Sequence, residues 1–558
     1  MRKPDHIPER RDFDKRKRAA FDEFEYILPL LRDVRDFFAP RLGSFRGEDR
    51  KGERYDTRVY NERAIFAART LAQGMASGMT PRSRPWNRLL PPDPEMADYA
   101  PVKTWLHDNA DMMAQIHLRS NTYGTLYSCY GGMGKFGTDA FGVFDDFEDV
   151  IRTYRYPIGT WAFTVDHTGR PNGFYHECKK TVDQLVEQYG LANVPRQART
   201  DYDNGDYMKK HTVTMAIERN MNRDRGMKDA MHMEWLAVHY AGDELDGFLK
   251  VSGHRKFPVI IPKWARSDVT IWGDSPAMDV LGSVMQLQVQ ELVYAEGLEK
   301  SVNPPLQAPT SARDAFVNKQ PGGVTYYDQM QGATQGIVPL YNVNLRLAEL
   351  GMNMKEIEAR ISEGMFADLF MMISSDDKTN RTAMEIAERK EEKLLALGPV
   401  LEGVDNDLLD PLIDLTYDAM QRAGLVPEPP PELQEMLNGR RPDVEYISIL
   451  HQAQRAVMSQ PIERYAAFVG SQMQAFPDVR FKYDPLQAAD EYASAIGVPP
   501  RVVPSDEQVE AAQAAERQAA EQQQAMDQAM QAAQGAKLLS ETQVNQGNSA
   551  LDALLGTA

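Results

Sequence analysis

Four short stretches of this chain carry side chains at spacings that enzymes use, and each lacks a part its chemistry needs. The run GMGKFG places Gly132, Gly134 and Gly137 at the G-x-G-x-x-G spacing of a dinucleotide loop. Such a loop follows a buried strand, opens a helix, and draws on an acidic residue about 20 positions further on to hold a ribose. Here the preceding NTYGTLYSCYG is polar and weakly patterned, and Pro157 stands at the ribose position, so a flexible or tightly packed glycine turn fits better. Lys135 is followed by Phe136, and no G-x-x-x-x-G-K-[ST] phosphate loop occurs in the chain. The run GDSPA, Gly273 to Ala277, approximates a nucleophile elbow at Ser275. That motif builds its oxyanion hole from the N–H of the residue after the serine, and Pro276 has none. Ser275 as a helix N-cap with Pro276 at the first helical position accounts for both residues. HECKK offers His176 and Glu177 but puts Lys180 where a zincin helix needs its second histidine. His232 and Glu234 give the H-x-E of a zinc deaminase without its paired cysteines. The residues therefore predict no enzyme, no cofactor and no metal centre.

The elements that would have to position such groups belong to a large chain. At 558 residues, more than one packed region is expected. Hydrophobic residues at 42% and charged residues at 26% exclude a disordered protein. Cys129 and Cys178 are too few for a disulfide framework or a structural zinc site, which points to a reducing compartment. MRKPDHIPERRDFDKRKRAAF has no apolar core and is not a signal peptide. MFADLFMMI, the longest apolar run, is far short of the ~20 residues that cross a bilayer, so no membrane contact is expected. The formal net charge of −18 opposes tight binding to a nucleic-acid backbone over most of the surface. One basic cluster interrupts it, at Arg10, Arg11, Lys15, Arg16, Lys17 and Arg18, and reads as a solvated helix face or a local phosphate contact.

The hydrophobic period predicts an amphipathic helix over 21–38, a second over 60–79 rich in alanine, and a third from Val102 anchored by Trp105 and Met112. TWAFTV and GFYHECK read as a strand pair around the turn DHTGRPN, followed by the helix VDQLVEQY with Gly190 as its C-cap. HTVTMAIE, MEWLAVHYA and GFLKVSG read as further strands. Beyond Pro276 the chain turns helical: 276–299, an irregular segment 303–341, helix 344–373, a break at SSDDKTN, and helix 381–423 with a kink at Gly398-Pro399. Residues 443–497 read as mixed and mostly helical. Ser505 and Gln508 form a capping box at the head of a helix of about thirty residues whose sizeable apolar groups are Val509, Met526 and Met530. The final residues, 541–558, read as disordered.

In their order along the chain, TPRSRPWNRLL, VKTWLHD, YGTLYSCYGGMGKFGTDAF, PVIIPKWARSDVTIWGDSPAMDVLGSVMQLQ, the long segment from Asn380 to Pro430 and the Gln/Ala-rich end resemble the head-to-tail connector, or portal, proteins of short-tailed (podovirus, T7-like) bacteriophages. Lys263-Trp264 and Trp272-Gly273 depart locally from the Arg-Trp and Tyr-Gly more usual there. The resemblance implies an α+β, mainly helical portal fold: an N-terminal wing (1–275), a first stem helix (276–302), a clip (303–343), a second stem helix (344–373), a tunnel loop (374–381), a long channel helix (382–425), a C-terminal wing region (426–504) and a crown helix (505–540). It further implies a dodecameric ring at one capsid vertex, a conduit for double-stranded DNA during packaging and ejection. The partners implied are major capsid and scaffolding proteins, the terminase large subunit and a tail adaptor protein, in the virion and, during assembly, the host cytoplasm. Ser375, Asp376, Asp377, Lys378, Thr379, Asn380 and Arg381 would be the tunnel loop facing DNA, and Val509, Met526 and Met530 the crown contacts between copies. An acidic lumen with a few cations, for which Lys378 and Arg381 are the candidates, would keep DNA mobile, because each neutralised phosphate adds affinity. Two rival readings stay open: another virion component such as a tail adaptor or internal core protein, and a soluble hydrolase using Ser275 or a metal near His232 and Glu234.

Overall fold

A basic helix lying on an acid-bearing sheet organises the first half of the molecule. In the computed structural model of the chain the described residues are 7–42, 45, 57–93, 96, 99–227, 229–241, 247–302, 306–307, 338–339, 347–374, 397–431, 433–434, 441–448, 450–451, 465–473, 482–496, 506–541, 543–545 and 548–549. They fall into two units, one of residues 1–87, 110–426 and 446–457, the other of residues 88–109, 427–445 and 458–558. The helices, in chain order, begin with α1 (Arg10–Phe38), α2 (Arg63–Met79), α3 (Ala100–Arg119), α4 (Thr122–Phe136), α5 (Val182–Tyr189) and α6 (Arg196–Asp203). They continue with α7 (Pro276–Val302), α8 (Leu347–Gly364) and α9 (Ala367–Ser374). Helix predominates and the two larger sheets are antiparallel, so the mainly helical α+β class holds.

In the first unit β4 (Trp161–Val165), β5 (Pro171–Thr181), β6 (Lys210–Arg219), β7 (Trp235–Ala241) and β8 (Lys250–His254) pair in sequence order as a meander. All five strand runs read from the sequence appear, as β4 to β8. The hairpin β2 (Ala140–Asp146) and β3 (Val150–Tyr156), which joins β9 (Val259–Ile260) in a second sheet, and α6 were not foreseen. The register puts Glu177, Thr214 and Tyr240 on one face of the meander. Helix α1 covers that face. Arg16 binds Glu218 through its Nε at 2.9 Å, Lys17 binds Glu177 at 3.0 Å, and the Arg10 guanidinium lies over the Tyr240 ring at 4.9 Å. Half of the basic cluster is therefore engaged with the protein's own side chains, while Arg11, Lys15 and Arg18 stay exposed. The helix begins at Arg10 rather than Phe21 because Phe13 is buried against Phe248, a long-range contact that no local period announces. Beyond the edge of that face, Phe24 packs on Trp272, which meets Trp161 and Phe163 on the His176 side of β4.

The opposite face carries His176, Met215 and His239 in direct register across β5, β6 and β7. His176 packs on Tyr156, His239 accepts or donates a 2.9 Å hydrogen bond with the Tyr189 hydroxyl, and His254 meets Phe144. Burial lowers all three, His176 and His254 to about 4 and His239 to about 3, as it does the fully buried His117.

Helices α2, α7 and α8 are joined by a buried amide. Gln288, on α7, accepts the backbone N–H groups of Tyr60 at 2.6 Å and Asn61 at 2.9 Å, and its own amide donates to the Asn61 carbonyl at 2.9 Å. Asn61 donates to Glu358 at 3.0 Å, and Arg63 reaches Ser362 of α8 at 2.8 Å. At Gly364 a Cβ would come within 2.3 Å of Val280, so glycine sets how closely α8 approaches α7. The single helix expected over 344–373 is instead two. Phe366 takes φ 54 between α8 and α9, and the redirected α9 puts Phe370 against Gly74 of α2. Met113 is fully buried on α3 where Met112 was expected, one position from the anticipated anchor.

From Leu397 the chain is helical, passes through a π-turn at Asp405–Leu409 and continues as the helix Asp410–Arg422. The residues before Leu397 needed to judge a kink at Gly398-Pro399 lie outside those described.

In the second unit β1 (Asn87–Leu90) pairs with the strand Asp443–Tyr446, and Arg88 binds Glu445 through its Nε at 2.9 Å. Asp484 accepts the N–H groups of Leu486 and Gln487 at the head of the helix Pro485–Ile496. The last helix, Asp506–Glu541, has 36 residues, about 54 Å at 1.5 Å per residue. A short pairing of Gln543–Asn545 with Asn548–Ser549 follows within the segment expected to be disordered.

Two outcomes are expected. A histidine held neutral by burial binds its proton more readily in the unfolded chain, so the folded state is fully favoured above about pH 6.5 and loses ground as pH falls towards 4. Urea midpoints should drop between pH 7 and pH 5 by an amount equivalent to roughly 1–2 kcal/mol per buried histidine, and His239→Gln should flatten that dependence. Gln288→Ala removes the acceptor of two partly buried N–H groups and should cost about 1–3 kcal/mol in urea denaturation, whereas Gln286→Ala on the exposed side of α7 should stay within about 0.5 kcal/mol.

Candidate functional site

Two of the four stretches that resembled catalytic motifs, GMGKFG and GDSPA, meet at the foot of α7, where they build a joint. Ser275 caps α7 as its sequence suggested: its Oγ accepts the Met278 N–H at 3.2 Å and donates to the Lys135 carbonyl at 2.8 Å. With 1% of its surface exposed and its hydroxyl committed on both sides, Ser275 is not a nucleophile. The Gly273 N–H donates to Thr138 Oγ1 at 2.7 Å, and the Trp264 N–H donates to the Gly137 carbonyl at 2.8 Å. Gly137 ends α4 at φ +74, and a Cβ there would lie 1.9 Å from the Gly273 carbonyl oxygen. The glycine run is thus mostly a helix rather than the turn expected. Its glycines are close-approach positions, with Gly134 against Leu71 of α2 and Gly132 over the Asp139 carboxylate.

Asp139, fully buried, accepts a fork from Arg155 at 2.7 and 3.0 Å and the Ala140 N–H at 2.8 Å. Burial raises its pKa against the pull of Arg155 and that N–H, and burial beside Arg155 lowers Lys135 to about 8. A charge removed from water and satisfied in this way fixes geometry, since removing either partner leaves the other stranded. Above the joint, α7 buries Ala277, Val280, Leu281, Val284 and Leu287, while Val289, Val293, Leu298 and Val302 in its second half are exposed.

The remaining candidates do not converge. His176 is buried on β5, Glu177 binds Lys17, and Lys180 donates to Gln188. His232 pairs with Asp229, whereas Glu234 is held by Arg219 and Arg223. Among the described residues no three His, Cys, Asp or Glu side chains are grouped to hold a metal. Cys129 and Cys178 are free, and burial pushes both thiols up. Ser375, Asp376, Asp377, Lys378, Thr379, Asn380 and Arg381 lie outside the described residues. Val509 is half-buried, and Met526 and Met530 stand 68% and 55% exposed on the last helix.

Sequence reasoning missed a ladder of four rings. Trp86 stacks between His117 at 5.9 Å and Tyr446 at 6.4 Å, and Tyr446 continues to His451 at 5.6 Å. The π-turn serves this ladder: Asp405 bonds His451 Nε2 at 2.7 Å, and Asp410 accepts the Tyr446 hydroxyl at 2.7 Å. Ser448 meets His451 Nδ1 at 2.7 Å, which completes a Ser-His-Asp relay, but Ser448 is fully buried at the head of a helical turn. The sequence carried one usable signal for the α7 clamp. Gln288 is a polar residue on an otherwise apolar stripe, the pattern of a buried group with a fixed partner.

Comparison with known proteins agrees along nearly the whole chain. The sequence profile of the family described as bacteriophage head to tail connecting protein matches residues 10–503. A probable portal protein of Bordetella phage BPP-1 is 38% identical over 516 residues, 92% of each chain. The portal protein of Salmonella phage epsilon15 is 36% identical over 529 residues, 94% of each chain. A chain from the neck of an empty gene transfer agent particle covers 76% of this chain and 90% of its own at 11% identity, but its TM-score of 0.33 is too low to inform the fold. The chain belongs to the family of bacteriophage head-to-tail connecting proteins.

Proposed function

We propose that this chain is a portal protein, twelve copies of which form a ring at one capsid vertex and pass double-stranded DNA inward at packaging and outward at ejection. The observation that carries this is the end-to-end match to two phage portal proteins, each covered over more than nine-tenths of its length. The exposed apolar second half of α7 supports it, because a helix with Val289, Val293, Leu298 and Val302 facing water is suited to burial between neighbouring copies. In this reading residues 1–275 are the wing, α7 and α8 the stem, and 303–343 the clip that meets the terminase large subunit and then a tail adaptor. Capsid and scaffolding proteins meet the outside of the ring. The motor chemistry resides in another protein. The segment 374–381 projects into the channel with Lys378 and Arg381 as its cations, and the net charge of −18 keeps the remaining wall from gripping phosphates. The helix Asp506–Glu541 forms a crown in which Val509, Met526 and Met530 meet other copies.

Native mass measurement and negative-stain images of the purified chain should give a closed ring with a central hole and about twelve copies. A monomer or dimer under all conditions overturns the reading. Deleting Asp506 onward should leave the ring body intact and remove the density above it. Lys378→Ala with Arg381→Ala should leave rings intact while changing the amount of DNA packaged or retained, and unchanged packaging would remove the tunnel-loop assignment.

A further inference from the structure

A cleft of about 380 Å³ opens between the β7–β8 edge of the meander and the helix Asp410–Arg422. Trp235 and Phe257, with ring centroids 4.8 Å apart, form one wall, and Pro411 and Leu415 form the other. Each aromatic ring is partly buried against the core, so it is held in place while part of its surface faces the cleft. The volume suits one or two side chains of a bound segment, within the range of small binding sites.

Charge decides what that segment carries. The two carboxylates of the lining are already engaged: Glu234 by Arg219 at 3.2 Å and Arg223 at 3.4 Å, Asp414 by Lys256 at 2.9 Å. Arg255 lines the same cleft, is exposed, and pairs with no carboxylate among the described residues. A planar guanidinium beside two aromatic rings suits a carboxylate next to an apolar side chain, because Arg binds carboxylates in a bidentate fork. We infer that this cleft is a docking site for an acidic segment of a partner protein, one that seats an apolar side chain between Trp235 and Leu415 and gives a carboxylate to Arg255. The inference does not depend on the portal reading.

The test uses the full chain and two fluorescein-labelled hexapeptides, one alternating Glu with Phe and Leu, the other with Lys in place of each Glu. Fluorescence anisotropy should show saturable binding of the acidic peptide and at least tenfold weaker binding of the lysine peptide. Arg255→Glu, at an exposed position, should reverse that preference, and Arg255→Lys should keep it with reduced affinity. Equal binding of the two peptides, an acidic-peptide affinity unmoved by Arg255→Glu, or no binding at about 0.2 mM protein would each overturn the inference. Phe147, fully exposed at the acidic β2–β3 turn, supplies the remaining arm. If the acidic peptide binds only after Phe147→Ala, a second copy's own hairpin fills the cleft and the inferred foreign partner is wrong.

Discussion

Two backbone segments pass each other at Gly137 and Gly273 with no room for a side chain between them, and the direction of α7 depends on that passage. The end of α4, the short strand before α7 and the Ser275 cap are locked by main-chain and hydroxyl bonds rather than by long flexible side chains. Twelve residues on, three hydrogen bonds at Gln288 fix the same helix to the segment leading into α2. A helix pinned at its foot and again near its middle can carry exposed valines and leucines in its second half without collapsing onto its own core. Glycine and amide geometry, rather than added hydrophobic area, hold that helix in place.

What the sequence disclosed and what it hid divide along the range of the interactions. The meander strands and the Ser275-Pro276 start of α7 were readable because alternation and cap chemistry act between near neighbours. The end of α5 at Gly190, with φ 78, was readable for the same reason. The Gly-rich α4 looked like a turn because its helicity rests on neighbours it meets only in the folded state, Leu71 and Asp139. The break at Phe366 was invisible for a related reason. Gly364 is the one local signal beside it, a residue that helices often tolerate, and the new direction is fixed by Phe370 reaching Gly74 nearly three hundred residues away. The site fared similarly: the cap role of Ser275 could be deduced from one missing N–H, whereas the ring ladder joins three distant segments with no shared motif.

The acidity of the chain also reads differently once the basic helix is placed. Arg16 and Lys17 are not available to a nucleic acid, because Glu218 and Glu177 hold them. Such pairs at the edge of a core contribute modest stability, but they help fix how α1 lies on the sheet. The cations left exposed on that helix are few, and the surface as a whole stays negative.

The ring ladder carries a cost in time. Trp86 and Tyr446 are separated by 360 residues of chain, and at about 5–20 residues per second a ribosome needs roughly 20–70 s to supply the second ring after the first. Until then Trp86 and His117 have no partner on that side, and the strand pairing beside them has no second strand. The early half of the protein thus waits, partly assembled and with aromatic surface uncovered, for a segment made near the end. Completion of this part of the fold is timed by the arrival of residues 443–451.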